Sequence, residues 1–134
     1  MIVNLVMAIF LGGLIGLERE CSDKPAGLRT NILIALGAAV FATLSGHLGG
    51  DPSRVVAAVV TGIGFLGAGS ILHKGGATSG LTTASGIWAT SGIGIACGLG
   101  FYGLATAATL LVLAVLLGLS PLERYINKKF KGQK

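Results

Sequence analysis

The chain has 134 residues, of which 52% are hydrophobic, 11% are charged and 23 are glycine. Soluble domains carry about 25% charged residues, so this composition excludes an ordinary soluble domain and predicts an integral membrane protein. The formal net charge of +5 comes without a base-reading motif. We therefore assign the basic residues to membrane topology and anionic lipid, and not to nucleic acid.

Uncharged stretches mark the predicted membrane spans. They cover residues 1–17, 30–50, 55–73 and 75–122, and a bilayer core of about 30 Å needs about 20 mostly apolar residues per helix. The last stretch is long enough for two spans, so we predict an all-α polytopic membrane bundle of five transmembrane helices. The predicted helices are 2–18, 30–48, 55–72, 81–97 and 102–119, within a transmembrane domain (1–122) that a basic cytoplasmic tail follows (123–134).

The first predicted helix runs into a charged patch. Its members are Glu18, Arg19 and Glu20 at the end of that helix, and Arg29 and Asn31 at the start of the second. An ionisable residue at a membrane boundary indicates a functional site when a partner is at hand, and Arg29 is placed to bridge to either acid. The alternative is a boundary cluster that only fixes topology. Glu18 and Glu20 point to different sides of the helix, and the sequence leaves open which one faces the bundle.

Small residues predict where helices pack closely, since lipid offers no hydrophobic driving force between helices. We expect helices 1, 3 and 4 to form the tight centre and the leucine-rich fifth helix to face lipid. The packing glycines are Gly12, Gly16, Gly62, Gly64, Gly67, Gly69 and Gly86. The alternative for the third helix is a broken helix that lines a cavity. The G-x-G-x-x-G pattern at 62–67 lies inside an apolar span, without the preceding strand that a nucleotide site needs.

Oxygen-bearing side chains near the charged patch predict a polar cavity. Its candidate lining on the fourth helix is Thr82, Thr83 and Trp88. Carboxylate, hydroxyl and amide oxygens suit a hard cation such as Mg²⁺, so Glu18 and Glu20 are the candidate metal ligands, and no other cofactor is expected. The chain contains no nucleophile elbow or zinc-protease motif, so we do not expect an enzyme.

An internal repeat relates two predicted helix pairs. Phe10-Leu11-Gly12 is followed after 14 residues by Gly27-Leu28-x-Thr30, and Phe65-Leu66-Gly67 is followed after 12 residues by Gly80-Leu81-x-Thr83. We interpret this as a duplication of helix hairpins 1–2 and 3–4, with helix 5 added, because such repeats are common in transport folds. The alternative is a chance match in a chain rich in glycine and leucine.

Basic residues predict the orientation. With the N-terminus outside, the outer side holds only Arg54, and the inner loops and tail hold the other nine of the 10 Lys and Arg residues. This positive-inside bias predicts a cytoplasmic C-terminus. On the outer side, Asp51 is a good N-cap and Pro52 suits the first helical position, so the pair predicts the start of the third helix.

Four motifs together resemble the MgtC/SapB family of bacterial inner-membrane proteins. They are Gly16-Leu17-Glu18-Arg19-Glu20, Ala26-Gly27-Leu28-Arg29-Thr30-Asn31, Gly62-Ile63-Gly64-Phe65-Leu66-Gly67-Ala68-Gly69 and Gly80-Leu81-Thr82-Thr83-Ala84 through Trp88, within residues 8–105. The resemblance implies a link to growth in low magnesium. It also implies a link to virulence, through survival inside host phagocytes. The family's charged positions would carry over to Glu18, Arg19, Glu20 and Arg29, and the polar start of helix 2 to Asn31.

The resemblance also implies a class of function. Family members are viewed as regulators or accessory proteins, and some are thought to restrain the ATP synthase. Longer members add a soluble C-terminal domain, and we interpret this sequence as a short form without it. We expect a non-enzymatic regulator that acts through other membrane proteins; the alternative is a small carrier or channel for Mg²⁺ or another cation. The expected partners are membrane lipid, other membrane proteins and a second copy of the chain, as a dimer.

Overall fold

Five helices and one β-hairpin make up the part of the chain that the structure describes. The structure is a computed structural model that describes residues 1–49, 51–74 and 77–131, with side chains over 1–49, 51–72 and 78–119. The elements in chain order are α1 (Ile2–Cys21), α2 (Leu28–His47), α3 (Pro52–Gly69), β1 (Leu72–Lys74), β2 (Ala77–Ser79), α4 (Leu81–Gly98) and α5 (Tyr102–Lys131). β1 and β2 pair antiparallel, with Leu72 opposite Ser79. The predicted all-α class with five helices is confirmed, and the hairpin is an addition whose strands are too short to show a sequence pattern.

Asp51 caps α3. Its carboxylate accepts hydrogen bonds from the Ser53 backbone N–H at 2.9 Å and from the Ser53 hydroxyl at 2.8 Å. These two hydrogen bonds hold the pKa of Asp51 below its ordinary value, and the bond from the Ser53 hydroxyl has the larger effect. The cap that Asp51 and Pro52 predict is confirmed. It starts α3 at Pro52 instead of residue 55, because capping groups, and not hydropathy, set where a helix begins.

Two helices continue beyond their apolar parts. α5 runs from Tyr102 to Lys131, whereas hydropathy predicts 102–119, and α1 continues through the charged patch to Cys21. The predicted tail, 123–134, is therefore helical as far as Lys131, and its last three residues lie outside the described part. Hydropathy finds the segment that suits a bilayer, but a helix continues as long as its backbone hydrogen bonds do.

The centre of the bundle is formed by α1, α2 and α4. Its buried apolar residues are Ala8, Leu11, Ile15, Ala35, Ala39, Ile93, Ala96 and Cys97, joined by Ala105 of α5. The prediction that helices 1, 3 and 4 form the centre is wrong, because within the described chain α3 buries only Gly67. α3 packs from the side through three valines. The alanines of α2 provide the close approach that we assigned to the glycines of α3.

α4 differs from the other helices in composition. By length and composition, four described helices could cross a membrane: α1, α2, α3 and Tyr102–Leu119 of α5. α4 is richer in hydroxyl groups, and ten of its 18 residues are buried. A crossing by α4 and the duplication of two hairpins therefore stay predictions. The two helix pairs also differ in their packing, since α1 and α2 lie at the centre and α3 lies at the side.

A hydrogen-bond network joins four helices at the end where α1 begins. Asn4 Nδ2 donates to the Gly98 carbonyl oxygen at 2.7 Å, and Asn4 Oδ1 accepts from the Tyr102 hydroxyl at 2.6 Å. The Thr43 hydroxyl donates to the same Gly98 carbonyl oxygen at 3.1 Å. We call this the Asn4 end of the bundle. The opposite end, where the turn between α1 and α2 lies, is called the turn end.

Candidate functional site

Arg19 is the buried charge of the charged patch. Its side chain is 8% exposed, and Nη2 donates to Thr83 Oγ1 at 3.0 Å, which ties the end of α1 to the start of α4. Arg29, in contrast, is exposed. Three- and four-residue intervals along the buried face of α1 lead to Arg19, and this spacing is the signal that places it inward. The buried face comprises Ala8, Leu11, Gly12, Ile15, Gly16 and Arg19.

Asn31 joins α2 to the turn and to α4. Its side chain is 2% exposed. Nδ2 donates to the carbonyl oxygen of Gly27 at 3.1 Å and to that of Ala26, and Oδ1 accepts from the Thr90 hydroxyl at 3.0 Å. Ala26 has φ 58°, a left-handed conformation that residues other than glycine rarely adopt, so the amide supports the turn at its least favourable point. Thr90 lies seven residues after Thr83 and so on the same helix face.

The two carboxylates of α1 have different partners. Glu20 Oε2 accepts from the Leu28 backbone N–H at 3.1 Å, at the start of α2, where the helix dipole favours a negative charge. Glu18 Oε1 accepts from the Ser22 hydroxyl at 2.9 Å. Glu18 Oε2 is buried and has no hydrogen-bond partner among the described residues. Among the described residues, the contact that joins the end of α1 to the start of α2 therefore runs from the Glu20 carboxylate to the backbone of α2. Arg29, the residue that we predicted for this bridge, is exposed.

Glu18 and Glu20 do not converge on one cation. Residues two positions apart on a helix do not face each other, and the two carboxylates bind different groups. In the part of the chain that the structure describes, no group of three or more His, Cys, Asp or Glu could hold a metal ion. A Mg²⁺ site that uses both carboxylates therefore does not fit this arrangement, and Glu18 Oε2 is the oxygen that a cation could still use.

Of the three predicted lining residues on α4, the structure brings one to the charged patch. Thr83 is buried against Arg19, whereas Thr82 and Trp88 are exposed. Trp88 is 57% exposed and lies beside an apolar slot of about 380 Å³ between α3 and α4, here called the Trp88 slot. Residues that line it include Ile63, Gly64, Gly67, Ala84, Ser85 and Trp88.

Two of the predicted packing glycines hold α1 against α2. A Cβ added at Gly12 would lie 2.7 Å from Ala35 Cβ, and one added at Gly16 would lie 2.7 Å from Leu28 Cα. Real Cβ atoms do not approach other atoms this closely, so these two helices meet at a distance that only glycine permits. Gly67 is less crowded, since an added Cβ would lie 3.6 Å from the Ala84 carbonyl oxygen.

The other predicted glycines lack such contacts, and two glycines within α4 that we did not predict have them. Open space surrounds an added Cβ at Gly62, Gly64, Gly69 and Gly86. The packing predicted for these four is therefore not made within the described chain. A Cβ at Gly94 would overlap the Ala35 carbonyl oxygen, and one at Gly98 would lie 2.5 Å from the Ala39 carbonyl oxygen. Gly94 and Gly98 are four residues apart, so one face of α4 lies against the backbone of α2.

The chain matches known proteins over almost its whole length. A sequence model of the MgtC family matches residues 5–125. The chain belongs to the MgtC family. It is 47% identical over 128 residues to Protein MgtC of Salmonella typhimurium (strain 14028s / SGSC 2262), and 48% identical over 125 residues to Protein MgtC of Brucella abortus (strain 2308). Family membership and the apolar helices together identify a membrane protein.

These MgtC relatives are longer than this chain. The matches cover 95% and 92% of this chain, but 55% and 52% of the two relatives. The chain thus spans about half the length of the curated relatives it matches. No solved structure matches it.

The two arginines of the charged patch allow a matched test of the structural role of Arg19 in this MgtC family member. We expect Arg19→Ala to lower the free energy of unfolding by about 2 kcal/mol, because it removes a charge-assisted hydrogen bond and leaves the Thr83 hydroxyl buried without its donor. Arg29→Ala removes the same charge from an exposed side chain, so its effect should stay within about 0.5 kcal/mol. Unfolding of the purified protein in mixed detergent micelles measures both changes. Equal losses for the two variants would contradict the structural role of Arg19.

Proposed function

We propose that this protein is a non-enzymatic regulator in the bacterial inner membrane. It helps the cell to tolerate magnesium limitation and to survive the stress that a bacterium meets during virulence. Its membership of the MgtC family supports the link to magnesium. The regulator acts by binding other membrane proteins, for which the membrane sector of the ATP synthase is one candidate. Its N-terminus lies outside and its C-terminus in the cytoplasm, in accordance with the positive-inside distribution of Lys and Arg.

The Trp88 slot is the observation that carries this proposal. Trp88 lies near the middle of α4, away from the interfacial belt in which membrane tryptophans concentrate. It is 57% exposed, and glycine and alanine beside it allow a second backbone to come close. Tryptophan is also among the residues that contribute most to binding at protein interfaces. We therefore propose that a transmembrane helix of the partner protein packs in this slot.

The charged patch supports the slot from the other face of α4. Arg19 and Asn31 bind Thr83 and Thr90 on the buried face of that helix, and Trp88 lies on the exposed face. These hydrogen bonds fix where α4 sits against α1 and α2, and so where Trp88 meets a partner. We propose that Arg19 and Asn31 are positioning residues in regulation, and that they do not themselves contact the partner.

Growth under magnesium limitation tests the proposal. A bacterium that lacks its own family member is complemented with this chain, with Trp88→Ala, or with Leu111→Ala, which truncates a side chain that is 67% exposed on α5. We expect Trp88→Ala to lose most of the growth advantage at an unchanged amount of membrane-inserted protein, and Leu111→Ala to keep it. If Trp88→Ala supports growth as well as the unchanged chain, the slot is not the regulatory surface.

A cation carrier is the second candidate, and the unpartnered Glu18 Oε2 favours it. A buried carboxylate oxygen without a donor is suited to a hard cation. Proteoliposomes that contain only this protein and an entrapped Mg²⁺ indicator test transport, with Glu18→Gln as the variant and Glu20→Gln as the matched control. Flux that Glu18→Gln abolishes would establish the carrier, and flux no higher than that of empty vesicles, from folded protein, would leave the regulator.

A further inference from the structure

A long apolar groove runs between α2 and α3, on a different face from the Trp88 slot. It has a volume of about 900 Å³. The walls include Leu33, Gly37 and Phe41 of α2 and Val55, Gly62 and Leu66 of α3. Open space surrounds an added Cβ at both wall glycines, which leaves the groove wide. Its floor is α4, where the Ser91 hydroxyl donates to the Trp88 carbonyl oxygen at 2.8 Å and is therefore already paired.

The groove is long enough for one lipid acyl chain. Val55 and Leu66 lie eleven residues apart on α3, which corresponds to about 16 Å at about 1.5 Å per residue. On α2 the lining reaches Thr30, near the turn end, so the groove extends from Arg54 toward the opposite end of the bundle. Half of a hydrocarbon core of about 30 Å is the depth of one acyl chain, so a chain that enters from the Arg54 side fits within the groove.

Arg54 gives the groove a charged mouth. Among the described residues that line the groove, Arg54 is the one charged side chain, and it is exposed at the start of α3. The nearby Asp51 carboxylate already accepts two hydrogen bonds from Ser53. A guanidinium above an apolar groove suits a molecule with a phosphate at the membrane surface and a hydrocarbon chain below it, because guanidinium binds phosphate through paired hydrogen bonds.

A second copy of the chain offers Arg54 less negative charge than an anionic phospholipid does. Copies in one membrane share an orientation, and of the five acidic residues three lie in and next to the turn between α1 and α2, at the turn end. Glu123 lies late in α5, which begins at the Asn4 end, so it too belongs to the turn end. Only Asp51 lies at the level of Arg54, and Ser53 engages its carboxylate. A phospholipid brings its own negative charge to this level, whereas a second copy brings no additional carboxylate.

We propose that this groove binds one anionic phospholipid, with an acyl chain between α2 and α3 and the phosphate on Arg54. The bound lipid fills the space that α3 leaves open and holds α3 to the rest of the bundle. This site is independent of the Trp88 slot and of any partner protein.

Native mass spectrometry of the detergent-purified protein with added phosphatidylglycerol tests the proposal. We expect the first phosphatidylglycerol to bind about tenfold more weakly to Arg54→Gln, since one charge-assisted contact is lost. Arg29→Gln, which neutralises an exposed arginine at the turn end, should bind it normally. Phosphatidylcholine, whose choline offsets the phosphate, should bind more weakly than phosphatidylglycerol and respond less to Arg54→Gln.

Filling the groove gives an independent variant. Gly62→Leu places a side chain in the open space of the groove and should abolish the first binding event, whereas Gly103→Leu, in open space on α5, should not. Equal lipid binding by the unchanged chain, Arg54→Gln and Gly62→Leu would overturn the proposal. So would a shift between monomer and dimer in Gly62→Leu at unchanged lipid binding, because the groove would then be an interface between copies.

Discussion

Gly94→Ala is expected to lower the free energy of unfolding by about 3 kcal/mol, the upper part of the range for overpacked cores. The added Cβ would overlap the Ala35 carbonyl oxygen and lie 2.9 Å from Ala35 Cα. These neighbours belong to the backbone of α2, which cannot rotate away as a side chain can. α2 and α4 would have to separate, and contacts along the centre of the bundle would be lost with them.

Gly92→Ala is the matched control for this prediction. Gly92 lies two residues earlier on α4, is exposed, and has open space around an added Cβ. Alanine is the better helix former, so this variant should equal or slightly exceed the stability of the unchanged chain. Unfolding in detergent micelles measures both variants. If Gly94→Ala is as stable as Gly92→Ala, α2 and α4 do not pack as closely as described.

Asn31→Leu is expected to cost a similar amount, about 3 kcal/mol, because it leaves several buried polar groups without partners. The carbonyl oxygens of Ala26 and Gly27 lose a donor, and the Thr90 hydroxyl loses its acceptor. The left-handed conformation of Ala26 then has no side chain to support it. The turn between α1 and α2 and the contact of α2 with α4 should weaken together.

Thr90→Val separates these contributions. It removes the hydrogen bond to Asn31 Oδ1 but leaves the two bonds from Nδ2 to the turn, and it nearly preserves volume, so we expect a loss of about 1 kcal/mol. Hydrogen exchange of the amides that follow the turn should increase in Asn31→Leu and hardly change in Thr90→Val. A loss in Thr90→Val as large as that in Asn31→Leu would mean that Asn31 acts through α4 and not through the turn.

The membrane class and the helices could be predicted from the sequence because hydropathy and capping are local properties. The cap at Asp51 and Pro52 depends on adjacent residues, and it lies where the pattern indicates. The direction of Arg19 was missed for a different reason. We assigned the bridging role to Arg29, whereas the three- and four-residue spacing of the buried face of α1 continues through Arg19, whose side chain donates to a hydroxyl on α4.

Which glycines pack could not be predicted, because a glycine only permits a close approach and the partner decides whether it occurs. Gly62 and Gly94 look alike in sequence, but the first faces open space and the second lies against Ala35. The residues that decide this belong to α2, whose alanines form a smooth surface for both α1 and α4. The pairing of Asn31 with Thr90, 59 positions apart, is equally invisible to local patterns.

The composition of α4 has a consequence for how the protein is assembled. On its own in lipid, this helix would expose Thr83 and Thr90, whose hydroxyls find acceptors or donors on α1 and α2. The hairpin of α1 and α2 is synthesised first, and both of its helices are apolar enough to cross a membrane. We expect the predicted crossing of α4 to need the protein surface that this hairpin provides, so mutations in the first hairpin should appear in cells as failed insertion of the second half of the chain.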